Sequence, residues 1–231
     1  MNKVSALIFG CNGYTHEIVK NIKHKYENII VFKHKDESRN LELERSNVEI
    51  FDFTESWSFL KDIYDLDNSI SFCVLEDDAE NIFLTISLRS TFEELNIIAL
   101  SKNKESATKL TMAGANKVIP MVQTTASIIS DILDKPIVTD VLHSILYEKG
   151  DLKIAEIEIT NESFFNGKYP SDIEWSKKYG VIIVSIIHED LSSEFIYSSK
   201  AKHHAIKDGD IFVVIGYEAD IKEFKRFIGR N

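Results

Sequence analysis

The sequence predicts an α/β fold: a doubly wound parallel sheet, a crossover helix pair, and a smaller α+β subdomain at the C-terminal end. Three observations lead to this prediction. Short apolar runs alternate with helical segments through the first two-thirds of the chain, two strongly apolar helical segments follow, and the remainder contains strand patterns closed by an amphipathic helix. Repeated strand-helix units favour a parallel sheet with right-handed crossovers and helices on both faces.

The first element is a strand that a glycine turn joins to a helix. The run from Ala6 to Phe9 is typical of a strand buried on both faces. Gly10 ends this run, and apolar residues then recur at helical spacing as far as Ile22. A dinucleotide-binding α/β domain begins in this way, with the N–H groups at the start of the helix facing the ligand.

The glycine fingerprint of such a domain is incomplete here. Of the three small residues in G-x-G-x-x-G only Gly10 is present, because Asn12 and Thr15 occupy the other two positions. A glycine after a buried strand is more often a structural turn than a phosphate-binding loop, so both interpretations stay open. The candidate ligand-binding residues of this turn are Gly10, Cys11, Asn12, Gly13 and Thr15.

The rest of the first two-thirds continues the alternation. Further strands are predicted at Ile29–Phe32, Val48–Phe53, Ile70–Leu75, Ile97–Leu100 and Lys117–Ile119. Helical segments are predicted around Leu41–Arg45 and at Trp57–Tyr64, Glu80–Glu94 and Ser106–Ala113. Ligands of such sheets bind at the carboxyl ends of the strands, so the residues after each strand are the candidates for a site.

Two of these strand ends carry further candidate residues. The second strand is followed by Lys33, His34 and Lys35, where dinucleotide binders have an acidic residue for the ribose. Asp52 and Thr54 follow the third strand, where they would reach a base or ribose. If a nucleotide binds, the lysines predict a phosphate-rich or other anionic ligand rather than NAD. The alternatives are that this basic tip is a solvated loop, or that loss of glycine has closed the site.

A change of pattern after Ile119 predicts the division into domains. Thr124–Leu133 and Ile137–Leu146 are helical segments that are apolar on more than one face, which predicts a subunit interface and a homodimer. The predicted domains are residues 1–135, a crossover helix and linker at 136–150, and a subdomain at 151–231. This subdomain is predicted to contain strands at Ile154–Thr160, Val181–Ile187 and Asp210–Ile215, and a closing helix at Ile221–Ile228.

Composition excludes several classes of protein. The formal net charge of −10 makes nucleic acid an unfavourable partner. The longest apolar run, Val181–Ile187, is far shorter than the roughly 20 residues that cross a bilayer. We therefore expect a soluble protein. Cys11 and Cys73 are the only cysteines, so we expect no disulfide framework and a reducing cytoplasm as the setting.

Four segments resemble the RCK family, the regulators of potassium conductance found in bacterial channels and in Trk/Ktr-type uptake systems. They are Leu110–Pro120 (LTMAGANKVIP), Phe165–Lys168 (FNGK), Tyr179–Ile183 (YGVII) and Lys207–Gly216 (KDGDIFVVIG). The resemblance implies a Rossmann-like N-terminal half. It also implies a ligand-sensing gating domain at the inner face of the membrane, with a potassium pore or transporter subunit as partner. The apolar helix pair would be the crossover through which two subunits embrace, in a dimer or a larger ring.

Metal sites receive little support from the sequence. Calcium-gated relatives would use positions that resemble Val74, Leu100 and Lys102 here, and none of these offers an oxygen ligand, so calcium is not expected. The acidic run Glu76–Glu80 is predicted to cap a helix rather than to bind a divalent ion. His203 and His204 have no further ligand at zinc spacing.

Two alternatives to a gating domain remain: an NAD(P)-binding oxidoreductase-like protein and an orphan nucleotide-sensing module. None of the eight tyrosines is followed four residues later by a lysine, so the catalytic pair of short-chain dehydrogenases is absent. Nucleophile-elbow and HExxH motifs are also absent from the sequence. We therefore predict a protein that is not an enzyme.

Overall fold

A computed structural model describes residues 5–37, 47–54, 56–66, 68–147, 150–160, 164–188, 192–195 and 205–228. The chain divides into two compact units, residues 1–130 and 131–231. The predicted domain boundaries at residues 135 and 150 remain predictions. The two units are described separately below.

The first unit is built on a six-stranded sheet in which every pairing is parallel. Its strands are β1 (Ser5–Phe9), β2 (Asn28–His34), β3 (Asn47–Phe51), β4 (Ile70–Cys73), β5 (Asn96–Ser101) and β6 (Lys117–Pro120). They lie in the order β3-β2-β1-β4-β5-β6, so the direction of winding reverses between β1 and β4. All of β1 is buried. The predicted doubly wound parallel sheet is confirmed.

Both faces of this sheet are covered, as expected of a doubly wound fold. The helices are α1 (Gly13–Ile22), α2 (Leu60–Ile63), α3 (Asp78–Thr91) and α4 (Lys104–Met112). On one face Val19 of α1 packs with Ala6, Ile8 and Val31. On the other face lies a larger cluster that includes Leu7, Phe9, Phe32, Trp57, Leu84 and Leu110. The alternation of side chains along β1 and β2 therefore supplies both cores.

Several boundaries differ from the sequence predictions. The segment predicted as one helix at Trp57–Tyr64 is a 3-10 turn at Trp57–Phe59 followed by the single α-helical turn of α2. The helix α3 starts at Asp78, because Asp77 caps it, and ends before Phe92, whose backbone is extended. Strand β2 extends to His34, two residues beyond the predicted end, because it pairs with β3 as far as Phe51. The helix predicted around Leu41–Arg45 lies outside the described residues.

Two apolar helices follow the sheet. They are α5 (Met121–Asp134) and α6 (Pro136–Tyr147), each longer at its start than predicted. Along α5, which the structure describes throughout, no side chain is buried. Ten large apolar side chains of the two helices are exposed: Val122, Ile128, Ile129, Ile132, Leu133, Ile137, Val138, Val141, Leu142 and Leu146.

The second unit contains an antiparallel sheet with its own core. Its further elements are β7 (Leu152–Glu158), α7 (Trp175–Tyr179), β8 (Val181–Ile187), β9 (Ser193–Phe195), β10 (Ile211–Tyr217) and α8 (Glu218–Ile228). The strand order is β7-β10-β8-β9. Phe165, Trp175, Phe212 and Phe224 are at the centre of the core. The predicted α+β subdomain is confirmed, although β9 was not predicted because it is short and contributes little apolar pattern.

Among the described helices, none is both long enough and apolar enough to cross a membrane.

Candidate functional site

A cavity of about 210 Å³ lies at the carboxyl edge of β1, β2 and β4, next to the point where the strand order reverses. Its lining residues are Gly10, Asn12, His34, Asp36, Glu37, Leu75, Glu76 and Glu80. Ligands of open α/β sheets bind in this position. Gly10 and Asn12 are the only two of the predicted ligand-binding residues in this lining.

A second, larger cavity of about 540 Å³ lies elsewhere in the same unit, lined by residues that include Lys61, Tyr64 and Glu93. These residues precede β4 and follow α3, so they lie at the amino edge of the sheet. Volume alone would favour this cavity. The carboxyl edge is nevertheless the expected ligand position in this fold class, and we take the smaller cavity as the candidate site.

Gly10 is a glycine because the backbone requires it. Its φ is +125°, and a Cβ atom at this residue would lie 2.9 Å from the carbonyl oxygen of Val74. Its N–H donates a hydrogen bond of 2.9 Å to the carbonyl oxygen of Phe32. Close packing of β1 against β2 and β4 therefore explains this glycine without a ligand.

Asn12 and Thr15 replace the two missing glycines and form a capping box. The side-chain oxygen Oδ1 of Asn12 accepts from the N–H groups of Tyr14 at 3.0 Å and Thr15 at 3.4 Å. Thr15 Oγ1 accepts from the N–H of Asn12 and donates to the carbonyl of Gly10 at 2.7 Å. Asn12 Nδ2 donates to the carbonyl of Val74 at 2.6 Å. Two of the N–H groups in the first turn of α1, those of Tyr14 and Thr15, are therefore satisfied by the Asn12 side chain.

Cys11 and Gly13 complete this turn. The N–H of Cys11 donates to the carboxylate oxygen Oε2 of Glu37 at 3.2 Å, and the Cys11 side chain is buried. Gly13 is exposed, and a Cβ atom there would meet no atom within 4 Å. The five predicted turn residues are therefore adjacent in space, and a carboxylate lies against one of their amides.

Lys33, Asp52 and Thr54 do not line the cavity. Lys33 shares a face of β2 with Ile29 and Val31, which pack toward α1. Asp52 forms an ion pair with Lys35 and accepts from the N–H of Thr54 at 3.1 Å. The hydrogen bond from Lys35, and then that from Thr54, lowers the pKa of the Asp52 carboxyl. Asp52 thus partly neutralises the positive charge of the segment from Lys33 to Lys35. The preference for an anionic ligand that these lysines predict remains a prediction.

Asp36 and Glu37 are the acidic residues that the sequence prediction missed. Dinucleotide binders have a ribose-binding acid directly after the second strand, and the apolar pattern ends that strand at Phe32. The strand β2 instead continues to His34, and both acids follow within three residues. Together with Glu76 and Glu80 they place four carboxylates around the cavity. Acids four and five residues beyond the apolar run that ends at Phe32 were the available signal.

His34 lies between these acids and an aromatic cluster. Its ring centroid is 5.4 Å from that of Phe51 and 5.0 Å from that of Phe53. The N–H of Asp36 lies 3.4 Å from His34 Nδ1, and a carboxylate oxygen of Asp36 lies 3.8 Å from the same nitrogen. His34 therefore contributes an imidazole ring to the wall of the cavity.

The acids at the start of α3 have mainly structural roles. Asp77 accepts from the N–H groups of Ala79 at 2.8 Å and Glu80 at 3.1 Å, which confirms the predicted cap. Asp78 accepts from the N–H of Lys102 at 3.0 Å and so joins α3 to the end of β5. Glu80, in the first turn of the helix, lines the cavity.

Asn81 was also missed by the sequence prediction. It is buried, and it exchanges hydrogen bonds with the backbone of Leu75 at 2.9 and 3.0 Å. Its Nδ2 also donates to the carbonyl of Leu100 at 3.4 Å. Asn81 therefore fixes the ends of β4 and β5 next to the cavity.

Metal ligands do not converge in the part of the chain that the structure describes: no group of three or more His, Cys, Asp or Glu residues could hold an ion there. Of the positions considered for calcium, Val74 is buried in the apolar cluster under α1. His203 and His204 lie outside the described residues.

Comparison with known proteins supports the resemblance seen in the sequence. Residues 6–120 match the TrkA-N domain family model. The chain is 24% identical over 155 residues to potassium channel protein 1 of Methanocaldococcus jannaschii, a match that covers 67% of this chain and 45% of the relative. It is 26% identical over 163 residues to probable potassium channel protein 2 of the same organism, covering 68% and 46%. The chain thus spans less than half the length of these relatives.

The fold also has a counterpart among solved structures. The human SLO3 gating ring superposes with a TM-score of 0.67 at 12% identity, over 95% of this chain and 45% of that chain. At this identity the likeness shows the fold alone. The TrkA-N match covers the doubly wound sheet. The two relatives are potassium channel proteins, the class of protein that the resemblance in the sequence implies. Residues 6–120 of the chain form a TrkA-N domain, and about two-thirds of the chain is similar to archaeal potassium channel proteins.

Proposed function

We propose that the chain is a ligand-sensing regulatory domain that controls a potassium channel or a potassium uptake system. The observation that carries the proposal is the TrkA-N match together with similarity to two archaeal potassium channel proteins. The cavity at the carboxyl edge of the sheet supplies a place for the ligand. We assign it a binding role and no catalytic one.

A ligand in this cavity would contact several elements at once. The lining combines the turn before α1, the end of β2, the end of β4 and the first turn of α3. Asn12 and Asn81 already join these segments by hydrogen bonds to β4 and β5. A ligand that binds one arrangement of these ends better than another would shift the population of the domain.

Self-association is the second part of the proposal. The exposed apolar side chains of α5 and α6 number ten, and covering one such side chain contributes about 1.5 to 3 kcal/mol when burial is complete. Since these residues are about half exposed, a partner surface would contribute on the order of 10 kcal/mol. A second copy of the chain is the partner we propose, in a dimer or in a larger ring.

The proposed location follows from the proposed partner. A domain that controls a potassium pore would act at the inner face of the cell membrane, held there by the pore or transporter subunit. We propose the same location for this chain, whether the pore belongs to the same polypeptide or to another.

Deletion of the domain tests the proposed function. Potassium flux is measured in cells that carry the intact transport system and in cells that lack residues 5–228 of this chain. The proposal expects the deletion to change open probability or uptake, in either direction. Equal potassium flux in both, with the membrane protein present in equal amount, would contradict it.

A further inference from the structure

We propose that Glu37 closes the phosphate position of this site, so that the cavity takes a small ligand with hydrogen-bond donors and without phosphate. Glu37 is then a residue that determines ligand specificity. The inference rests on the proposed function, because it names the ligand class of the same cavity.

Three of the amide groups that would contribute to a phosphate site, those of Cys11, Tyr14 and Thr15, already have partners. In phosphate-binding α/β domains the anion lies against the N–H groups of the glycine turn and the helix start. Here the N–H of Cys11 donates to Glu37 Oε2 at 3.2 Å. The N–H groups of Tyr14 and Thr15 donate to Asn12 Oδ1 at 3.0 and 3.4 Å. A phosphate would have to displace both acceptors.

The charge of the cavity also disfavours an anion. Asp36, Glu76 and Glu80 add three carboxylates to that of Glu37, and among the described residues the lining includes no lysine or arginine. Like charges repel more strongly at the edge of a protein than in bulk water, because the effective dielectric constant is lower. Carboxylates accept hydrogen bonds from hydroxyl and ammonium groups, which are therefore the groups this lining would recognise.

The size of the cavity agrees with a small ligand. Its volume of about 210 Å³ is below the roughly 300 to 1,000 Å³ of pockets that hold drug-sized ligands and cofactors. A dinucleotide would extend beyond this volume over the glycine turn, where Glu37 lies. The cavity volume, the charge of the lining and the contact between Cys11 and Glu37 therefore all favour a small ligand without phosphate.

Inorganic pyrophosphate tests the proposal without knowledge of the natural ligand. The full chain is titrated, and the amide resonances of Cys11 and Tyr14 are followed by NMR in wild type, Glu37→Ala and Glu37→Gln. We expect no saturable shift of the Cys11 amide in wild type at millimolar concentration. Glu37→Ala should give a saturable shift with an affinity at least about tenfold higher, a difference that such a titration resolves. Glu37→Gln removes the charge but keeps an oxygen that can accept from the Cys11 N–H, so this second variant should give a smaller gain in affinity than Glu37→Ala.

Glu80→Gln is the matched control, because it removes a carboxylate from the same lining without touching the glycine turn. It should leave the Cys11 amide unresponsive. The proposal is overturned if wild type binds pyrophosphate at Cys11, if the Glu37 variants do not, or if Glu80→Gln acts as strongly as Glu37→Gln. The NMR titration does not depend on potassium flux. A negative titration would therefore leave the proposed regulatory role untouched, and unchanged potassium flux in the deletion would leave the titration result untouched.

Discussion

The side-chain amide of Asn12 donates a hydrogen bond to the carbonyl oxygen of Val74 across 2.6 Å and thereby joins the first turn of α1 to the end of β4. The same side chain caps α1 through Oδ1, so one buried residue serves both elements. A glycine at this position would free the helix start for an anion and would lose both contacts. The departure from the glycine fingerprint therefore has a structural function.

Replacement of Asn12 should separate its two roles. Asn12→Ala removes the cap and leaves the Val74 carbonyl without its partner, and we expect a loss of about 2 to 4 kcal/mol in the free energy of unfolding. Asn12→Asp keeps the acceptor that caps α1 but sets a carboxylate oxygen against the Val74 carbonyl in place of the donor, so it should also be destabilising. Urea denaturation measures both variants. Asn21→Ala, which removes an exposed hydrogen bond in the same helix, is the control and should cost much less.

The two glycines of the turn should respond oppositely to alanine. Gly10→Ala places a Cβ atom 2.9 Å from the Val74 carbonyl oxygen at a φ of +125°, so we expect a loss of at least about 2 kcal/mol. Gly13→Ala meets open space at the start of a helix and should be neutral or stabilising by up to about 1 kcal/mol. Thermal unfolding of the pair measures the contrast. Equal stability of the two variants would refute the close approach at Gly10.

The apolar face of α6 should hold two copies together. Leu142→Asp with Ile145→Asp introduces two charges on a surface that we expect to be covered, and the variant should become monomeric or aggregate. Sedimentation velocity over a range of concentrations measures the state of association. Asp140→Asn, a change at an exposed residue of the same helix, is the control and should leave it unaltered. A double variant that still runs as a folded dimer would show that this face is not the interface.

Both cysteines should resist alkylation in the folded protein. Cys11 and Cys73 are buried, and burial raises the pKa of the Cys73 thiol to about 12. We expect iodoacetamide at pH 8 to modify neither residue until denaturant is added, as mass spectrometry of the digested protein would show. Rapid modification of Cys73 without denaturant would contradict its place in the core.

The same thiol predicts a dependence of stability on alkaline pH. In the unfolded chain the Cys73 thiol has an ordinary pKa of 9.0, whereas the folded value is raised to about 12. The unfolded state therefore releases its proton first, and the contribution of Cys73 to stability is present below pH 9 and is lost as the pH rises from 9 toward 12.

The sequence was sufficient for the sheet and insufficient for the site. Apolar runs such as Ala6–Phe9 predict buried strands because burial on both faces leaves no room for polar residues. The end of β2 was misplaced because Lys33 and His34 are polar, and only their pairing with Ile50 and Phe51 of β3 extends the strand. That shift of two residues concealed Asp36 and Glu37.

Two further features depended on contacts between distant residues. Asn12 and Thr15 have the spacing of a capping box, so their role was available from the sequence, although the bond from Asn12 to Val74 was not. Asn81 lies inside a helical pattern, and its bond to Leu100 appears only when β4 and β5 lie side by side.

The central claim is that occupancy of the cavity at the carboxyl edge of the sheet controls potassium movement, and potassium flux in a cavity-filling variant tests it most directly. Glu80→Trp places a bulky side chain in the lining from the first turn of α3, and Glu105→Trp makes the same change in the first turn of α4, outside that lining. Circular dichroism confirms that both variants fold. We expect Glu80→Trp to alter potassium flux as the deletion does, and Glu105→Trp to behave as wild type. Wild-type flux in Glu80→Trp, alongside altered flux in the deletion, would contradict it.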